Sequence, residues 1–455
     1  MKKKVVISLL LICVPLAFFA LLSSCVKKIP TDDGNGKFFD YVPEFHFTYF
    51  SVGIDEIKED DMSLYVDNST CNVLGQHSAF YQALVPSWVA ATKHYFSIKG
   101  DAIIEEQPAE TFSRLRSIEE TNYADLKGTV TKMANSKCES VLLTDGEYYQ
   151  QSIAKGNINH PYMAEAFKTW LKKGHDIFVF SEPYVESYKG QTFNKKRFYI
   201  IFTDVRLKNN IFDRIQQTTR LQDYPEVEMF HLSADHPSLA AEGPSSKPNQ
   251  NLNAEVKGFG IFEAQEWPID WENGIEPLIV SAMNPKTGEA LKDGEPFTGG
   301  IKVDRNSFGG YRIKDVTAQV YNINQEFTDF CTAKETKQKI GGTIDPISYP
   351  NFIKLDEKEF STHGIINLHF DTQMYDFSIL NGKPYNFFKI DICVSAVEDM
   401  FSQFAEMFYF DSIDMPGQTN TSVAESIKQC LADPDIKSMI ENCPLYSIYV
   451  KSPER

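Results

Sequence analysis

Residues 62–71 read MSLYVDNSTC, and the reading of this stretch decides the fold. A short apolar run, Leu64-Tyr65-Val66, delivers Asp67, Ser69 and Cys71 onto whatever follows it. Two later pieces look built to meet that loop: Thr121 in ETNYADLKG and Asp145 in SVLLTDGE. In an open α/β sheet the C-terminal ends of parallel strands share one edge, and ligands bind there. Asp67, Ser69, Thr121 and Asp145 converging at such an edge would hold a hard divalent cation through oxygen ligands. The same residues also admit a plainer reading. Asp67 and Ser69 then cap a helix, and Asp145-Gly146 is a turn.

Working outward, a strand-then-helix rhythm runs through residues 40–235. Ser63–Val66 reads as a strand. Ser78–Tyr95 carries Phe80, Leu84, Trp88 and Ala91 at helical spacing. Tyr95–Glu105 reads as one or two short strands broken at Gly100, and Tyr123–Ala134 as a helix. Cys138–Thr144 is a strand of buried type, followed by a helix from Pro161 to Gly174 with helix punctuation at both ends. Asp176–Phe180, Phe198–Phe202 and Glu228–Leu232 are further strands, with a helix over Asn209–Arg220. This alternation predicts an α/β domain with a mainly parallel, doubly wound sheet.

At this point the pattern resembles a von Willebrand factor A-type domain. The metal-ion-dependent adhesion site of that family reads Asp-x-Ser-x-Ser, then Thr, then Asp. Asp67-Asn68-Ser69-Thr70-Cys71 follows a strand, Thr121 precedes a helix, and Asp145 follows a buried strand. The resemblance covers less than half of the chain. It implies a cation such as Mg, Ca or Mn, held by Asp67, Ser69, Thr121 and Asp145 and completed by a carboxylate of a protein partner. The departure is Cys71, where the family has its second Ser. A thiol is a soft ligand and a poor match for Mg or Ca. Thr70 is an alternative hydroxyl, and Glu147, Tyr148 and Tyr149 stand where they would rim such a site.

Residues 1–25 are a targeting segment. Lys2, Lys3 and Lys4 precede an apolar run, and Leu22-Ser23-Ser24-Cys25 follows it. This resembles a bacterial lipoprotein signal, which implies lipidation of Cys25. The alternative is an uncleaved membrane anchor. Either places the rest of the chain outside the cytoplasm. Val26 after the cysteine favours the outer membrane within the cell envelope. Residues 26–39 form a polar tether. The net charge of −17 argues against nucleic acid as a partner.

Chemistry-bearing motifs are sparse. The chain has no GxSxG, Walker loop, GxGxxG or HExxH. His231 and His236 make the nearest thing to a histidine cluster, and a zinc site there would need a further ligand. Six cysteines lie beyond the targeting segment, and Cys430 and Cys443 are close enough in sequence to close a small loop. Residues 236–253 read as a linker. Residues 254–455 read as a β-rich domain of sandwich type, ending in a helical stretch, Ser422–Cys443, and a last strand. The expectation is a lipid-anchored envelope protein that binds a protein partner through a cation. The alternatives are a metal-dependent hydrolase using the same loops and a metal-free structural or assembly factor.

Overall fold

The computed structural model describes residues 41, 44–45, 57–67, 69–107, 124–148, 158–205, 207, 209–234, 241–242, 259–263, 296–305, 310–338, 347–348, 353–370, 385–442 and 444–453. Cys25, the tether to residue 39, Asn68, Thr121, Tyr149, His236 and Cys443 lie outside these residues, as does most of the expected linker. In chain order the first half forms β1 (Lys58–Asp67), α1 (Thr70–Gly75), α2 (Ala79–Ala91), β2 (His94–Lys99) and β3 (Ala102–Glu106). It continues through α3 (Leu126–Ala134), β4 (Cys138–Thr144), α4 (Ala164–Leu171), β5 (Asp176–Tyr188), β6 (Gln191–Thr203), α5 (Ile211–Thr218) and β7 (Glu228–Leu232).

These strands make one seven-stranded sheet in the order β3-β2-β1-β4-β6-β5-β7. β1 runs parallel to both β2 and β4. The remaining pairings, β2–β3, β4–β6, β6–β5 and β5–β7, are antiparallel. The expected mainly parallel sheet is therefore mixed, with a parallel centre and antiparallel flanks. The physical reason lies in the turn between β5 and β6. Lys189 and Gly190 both have positive φ, 49° and 78°. Two such residues make the tight turn whose twist suits a hairpin, and a hairpin can only be antiparallel.

Both faces of this sheet are buried, which explains the unbroken apolar run Val141-Leu142-Leu143. Leu64, Val66, Leu143, Phe180 and Tyr199 face α2 and α5. Tyr65, Leu142, Val179, Phe198 and Ile200 face α3 and α4. Trp170 of α4 is fully buried, and its indole N–H donates to the carbonyls of Asp176 and Thr203.

The second half is β-rich, as expected. It forms β8 (Ala241–Glu242), β9 (Phe259–Glu263), β10 (Pro296–Val303), β11 (Tyr311–Asn322), α6 (Asn324–Thr336), β12 (Ile347–Ser348), β13 (Ile353–Leu355) and α7 (Glu357–His363). β14 (Ile365–Phe370), β15 (Tyr385–Asp399), β16 (Phe410–Asp411), β17 (Thr419–Asn420), α8 (Ser422–Leu431), α9 (Pro434–Asn442) and β18 (Pro444–Pro453) complete it. Its larger sheets are β13-β14-β10-β8 and β12-β11-β15-β18-β9. β8 falls inside the expected linker yet pairs with β10.

The two halves share one hydrophobic core. Phe230 of β7 packs against Phe401, Phe404 and Phe408, and Phe198 of β6 against Phe408 and Phe410. Ser181 donates to the carbonyl of Met407 at 2.6 Å, and the amide of Met163 donates to Ser426 Oγ at 3.2 Å. In the other direction, Phe45 is buried against Phe327, Phe330 and Tyr449 of the second half. The face of the first sheet that carries α3 and α4 is thus completed by α8 and the aromatic turns before it.

This shared core makes a folding prediction. The chain from residue 37 is expected to melt in one cooperative transition, whereas a fragment ending at residue 235 is expected to bind a hydrophobic dye and lack one. Phe408→Ala should cost about 3–5 kcal/mol in urea unfolding. Two separable transitions in the full chain would contradict a common core.

Candidate functional site

Because β1, β2 and β4 are parallel, their C-terminal ends lie along one edge. Val66 pairs with Leu143, which brings Asp67 level with Thr144. Thr144 Oγ1 donates to Asp67 Oδ2 at 2.7 Å and accepts from the amide of Gly146 at 3.0 Å. Asp145 Oδ1 accepts from the amide of Glu147 at 3.0 Å. Gly146 has φ +75°, and a Cβ there would meet the Phe198 ring at 2.7 Å. Only glycine suits that position.

The loop after β1 turns at once into α1. Ser69 stands at the N-cap of α1, but its hydroxyl does not cap it. That hydroxyl lies 2.9 Å from Cys71 Sγ and beside the Asp67 carboxylate. Asn72 Nδ2 reaches back to the Asp67 carbonyl at 2.6 Å. The structure brings together three of the four expected ligands, Asp67, Ser69 and Asp145. Thr121 lies outside the described residues, and the hydroxyl that meets Asp67 from a neighbouring strand is Thr144.

What covers this edge is a pair of strands that continue past it. β4 ends where Thr144 pairs with Phe198, whereas β5 and β6 stay paired from Ser181–Phe198 out to Tyr188–Gln191. The overhang carries buried charge. Arg197 Nη1 lies 2.6 Å from Glu182 Oε2, and Arg197 Nε donates to the Cys71 carbonyl at 2.8 Å. Tyr199 OH donates to the same Glu182 oxygen at 2.6 Å, and Ser78 donates to the other. Two residues along the strand, Lys195 Nζ lies 2.8 Å from Glu147 Oε1 and 4.6 Å from the centre of the Phe410 ring. The second half closes the remaining side. The amide of Ile413 donates to Glu147 Oε1 at 3.2 Å, and Asp411 Oδ2 accepts from the amide of Asn194 at 2.7 Å. Thr70, the alternative hydroxyl, is bonded to Glu186.

The electrostatics follow from burial. Asp67 is 2% exposed and Asp145 8%. Burial, reinforced by the charge of Asp145, raises the Asp67 carboxyl well above its ordinary range. Burial also raises Asp145 to about 6, against the pull of Lys195. Burial works against the Lys195 ammonium, yet Asp145, Glu147 and Glu186 together hold it above the ordinary lysine range. Burial pushes the Cys71 thiol well up, so it stays protonated at neutral pH.

These contacts bear on whether the edge fits a divalent cation. Each of the three described donors already has a hydrogen-bond partner within the chain: Thr144 for Asp67, Cys71 for Ser69 and the Glu147 amide for Asp145. A neutral thiol stands in place of the second serine, and an ammonium already offsets part of the acids' charge. In this arrangement the described donors are engaged within the chain, and the protonated thiol is a poor ligand for a hard divalent ion. Among the described residues, no group of three or more His, Cys, Asp or Glu side chains is disposed to hold a metal.

The histidine pair does not form a zinc site among the described residues. His231 Nε2 lies 2.7 Å from Asp176 Oδ1, buried and stacked on Phe178, while His236 lies outside them. Tyr148 stacks on Tyr162 at 4.6 Å, and Tyr162 OH donates to the Gly146 carbonyl, so it supports the loop and does not rim an opening. Cys71, Cys138, Cys393 and Cys430 are free thiols.

Sequence reasoning missed Thr144, Glu182, Lys195 and Arg197. A signal for the last three was present. Residues 181–199 form two alternating segments around Lys189-Gly190, and in the second of them Phe193, Lys195, Arg197 and Tyr199 fall on every other position. Comparison of the chain with protein-family models, with curated proteins and with solved structures yields no match.

Two predictions arise here. The Asp145 carboxyl should titrate near pH 6, against its ordinary 3.8, as read from its carboxyl carbon resonance. The folded state then keeps a proton that the unfolded chain has released. The contribution of this group to stability is greatest below the unfolded value and falls as pH rises through about 6. That slope should vanish in Asp145→Asn. Separately, Arg197→Met leaves Glu182 buried without its cation and should cost about 3–5 kcal/mol in urea unfolding, most of it recovered in the Arg197→Met/Glu182→Leu double variant.

Proposed function

We propose that this chain is a lipid-anchored protein of the cell envelope that binds a protein partner without a resident metal and without chemistry at the strand edge. The observation that carries this reading is the closure of the edge by the protein itself. The β5–β6 overhang and the segment around Phe410 to Ile413 bury Asp67 and Asp145. A partner's carboxylate would have to displace both to reach them. A metal-assisted hydrolase would need the same opening for its substrate and water. The reading therefore favours the structural or assembly role over both cation-mediated adhesion and hydrolysis. Recognition then falls to the outer surfaces of the molecule.

The likeness to an A-type domain is supported in one part of the sheet. The order β3-β2-β1-β4, Asp67-x-Ser69 at the end of β1 and Asp145 after β4 all agree with it. The antiparallel β6-β5-β7 flank departs from it. In this reading the head descends from an adhesion-type architecture whose edge has been sealed. Leu22-Ser23-Ser24-Cys25 supports the anchor, through Cys25, and an extracytoplasmic location at the outer membrane.

Labelled palmitate should enter the wild-type protein but not Cys25→Ser. Photo-crosslinking of the full chain in intact envelopes should give the same adducts with and without chelator, and the same in Asp67→Asn. Adducts that vanish with chelator and return with magnesium would overturn the metal-free reading.

A further inference from the structure

Among the described residues, four carboxylates stand around the strand edge, Asp67, Asp145, Glu147 and Glu186, and the question is what balances them. Arg197 faces Glu182 instead: Nη1 lies on that carboxylate, to which Tyr199 also donates, Nε donates to the Cys71 carbonyl, and the acids acting on the guanidinium do not include these four. Lys196 does not balance them either. The strand pleat turns it away, to within 3.4 Å of Glu228. Among the described residues, the cation that remains is Lys195. Its side chain is fully buried, its Nζ sits 2.8 Å from Glu147 Oε1, and the acids stabilising its charge are Asp145, Glu147 and Glu186. The Phe410 ring lies against the same ammonium at 4.6 Å and excludes water from that side. A buried ammonium is strongly unfavourable unless acids surround it, so the acids and Lys195 depend on each other.

We infer that Lys195 is the built-in cation of this site: its ammonium takes the place that a divalent ion would fill at the edge, and removing it converts the edge into a divalent-cation site. This rests on the metal-free reading given above. An ammonium is a compact point charge with donors in several directions, which makes it the side-chain group closest to a small ion among oxygen ligands. Without it, Asp145, Glu147 and Glu186 lose their shared cation beside Asp67, which leaves an excess of oxygen donors at a largely buried edge. That is the environment in which calcium, magnesium or manganese binds. Lys195→Met keeps most of the stem volume and the contact with Phe410 while deleting the charge.

The test is thermal melting of the chain from residue 37 in chelated buffer and with millimolar calcium, magnesium or manganese chloride at matched ionic strength. Lys195→Met, and Lys195→Gln as a second variant, should melt lower than wild type in chelator. Each should then gain several degrees from at least one divalent ion, because a ligand that binds only the folded state stabilises it. Lys195→Arg keeps the charge and should gain nothing, and Asp145→Asn in the Lys195→Met background should abolish the gain. If both neutral variants show no divalent response, whether they melt cooperatively or are unfolded and not restored by any of the ions, the assignment of Lys195 fails and the metal-free reading stands. If instead wild type itself gains stability from a divalent ion and loses that gain in Asp145→Asn, the metal-free reading fails, and the role of Lys195 with it.

Discussion

A carboxylate taken out of water must be protonated or must meet a positive charge, and the end of the central parallel strands is organised by that requirement. Glu182 meets Arg197 in a fully buried pair, and Glu147, itself half-buried, meets the fully buried ammonium of Lys195. Both cations come from β6, at alternate positions of a strand whose register is set by the two-residue turn at Lys189-Gly190. A slip of one residue would turn Lys195 and Arg197 outward and Lys196 inward, leaving the acids unmatched. The turn, the length of the overhang and the charge balance are thus a single constraint.

The same overhang gives the second half of the chain its place. Asn194 is bonded to Asp411, Glu147 to the amide of Ile413, and Lys195 to the face of Phe410. Deeper in, the Phe401–Phe410 aromatic segment covers the sheet face that α3 and α4 leave open. A strand edge that is open to ligands in many α/β proteins is here a buried junction between the two halves. The consequence for function is direct. Recognition at this edge would require the halves to part, whereas recognition on the outer surfaces requires no rearrangement.

Much of the first sheet was legible because buried strands and amphipathic helices leave strong local signatures. Cys138–Thr144 and Glu228–Leu232 have the bounds that their apolar runs indicate, as does Ile365–Phe370 in the second half. The convergence of Asp67, Ser69 and Asp145 was also legible, since each follows or ends a strand of the parallel centre. The outer parts of β5 and β6 were not. Ser181–Tyr188 carries Glu182 and Glu186 among its apolar residues, and buried charges of that kind resemble loop composition. The aromatic segment at 401–410 was illegible for a different reason. It folds as short 3-10 turns, which give no strand or helix period for Phe401, Phe404 and Phe408 to report. The residue that decides the chemistry of the edge, Lys195, sits in a run of Lys-Lys-Arg that reads as a solvated charge cluster. Only the pleat of the strand separates the buried members from the half-buried Lys196.

The central claim is that the edge is neutralised by a side chain and not by a metal. The most direct measurement is a crystal structure of the chain from residue 37 grown in millimolar manganese, with anomalous data collected at a wavelength where manganese scatters strongly. The account predicts Lys195 Nζ in contact with Glu147, beside Asp145, and no anomalous peak within coordination distance of Asp67 or Asp145. An anomalous peak between those two carboxylates, with Lys195 turned aside, would contradict it.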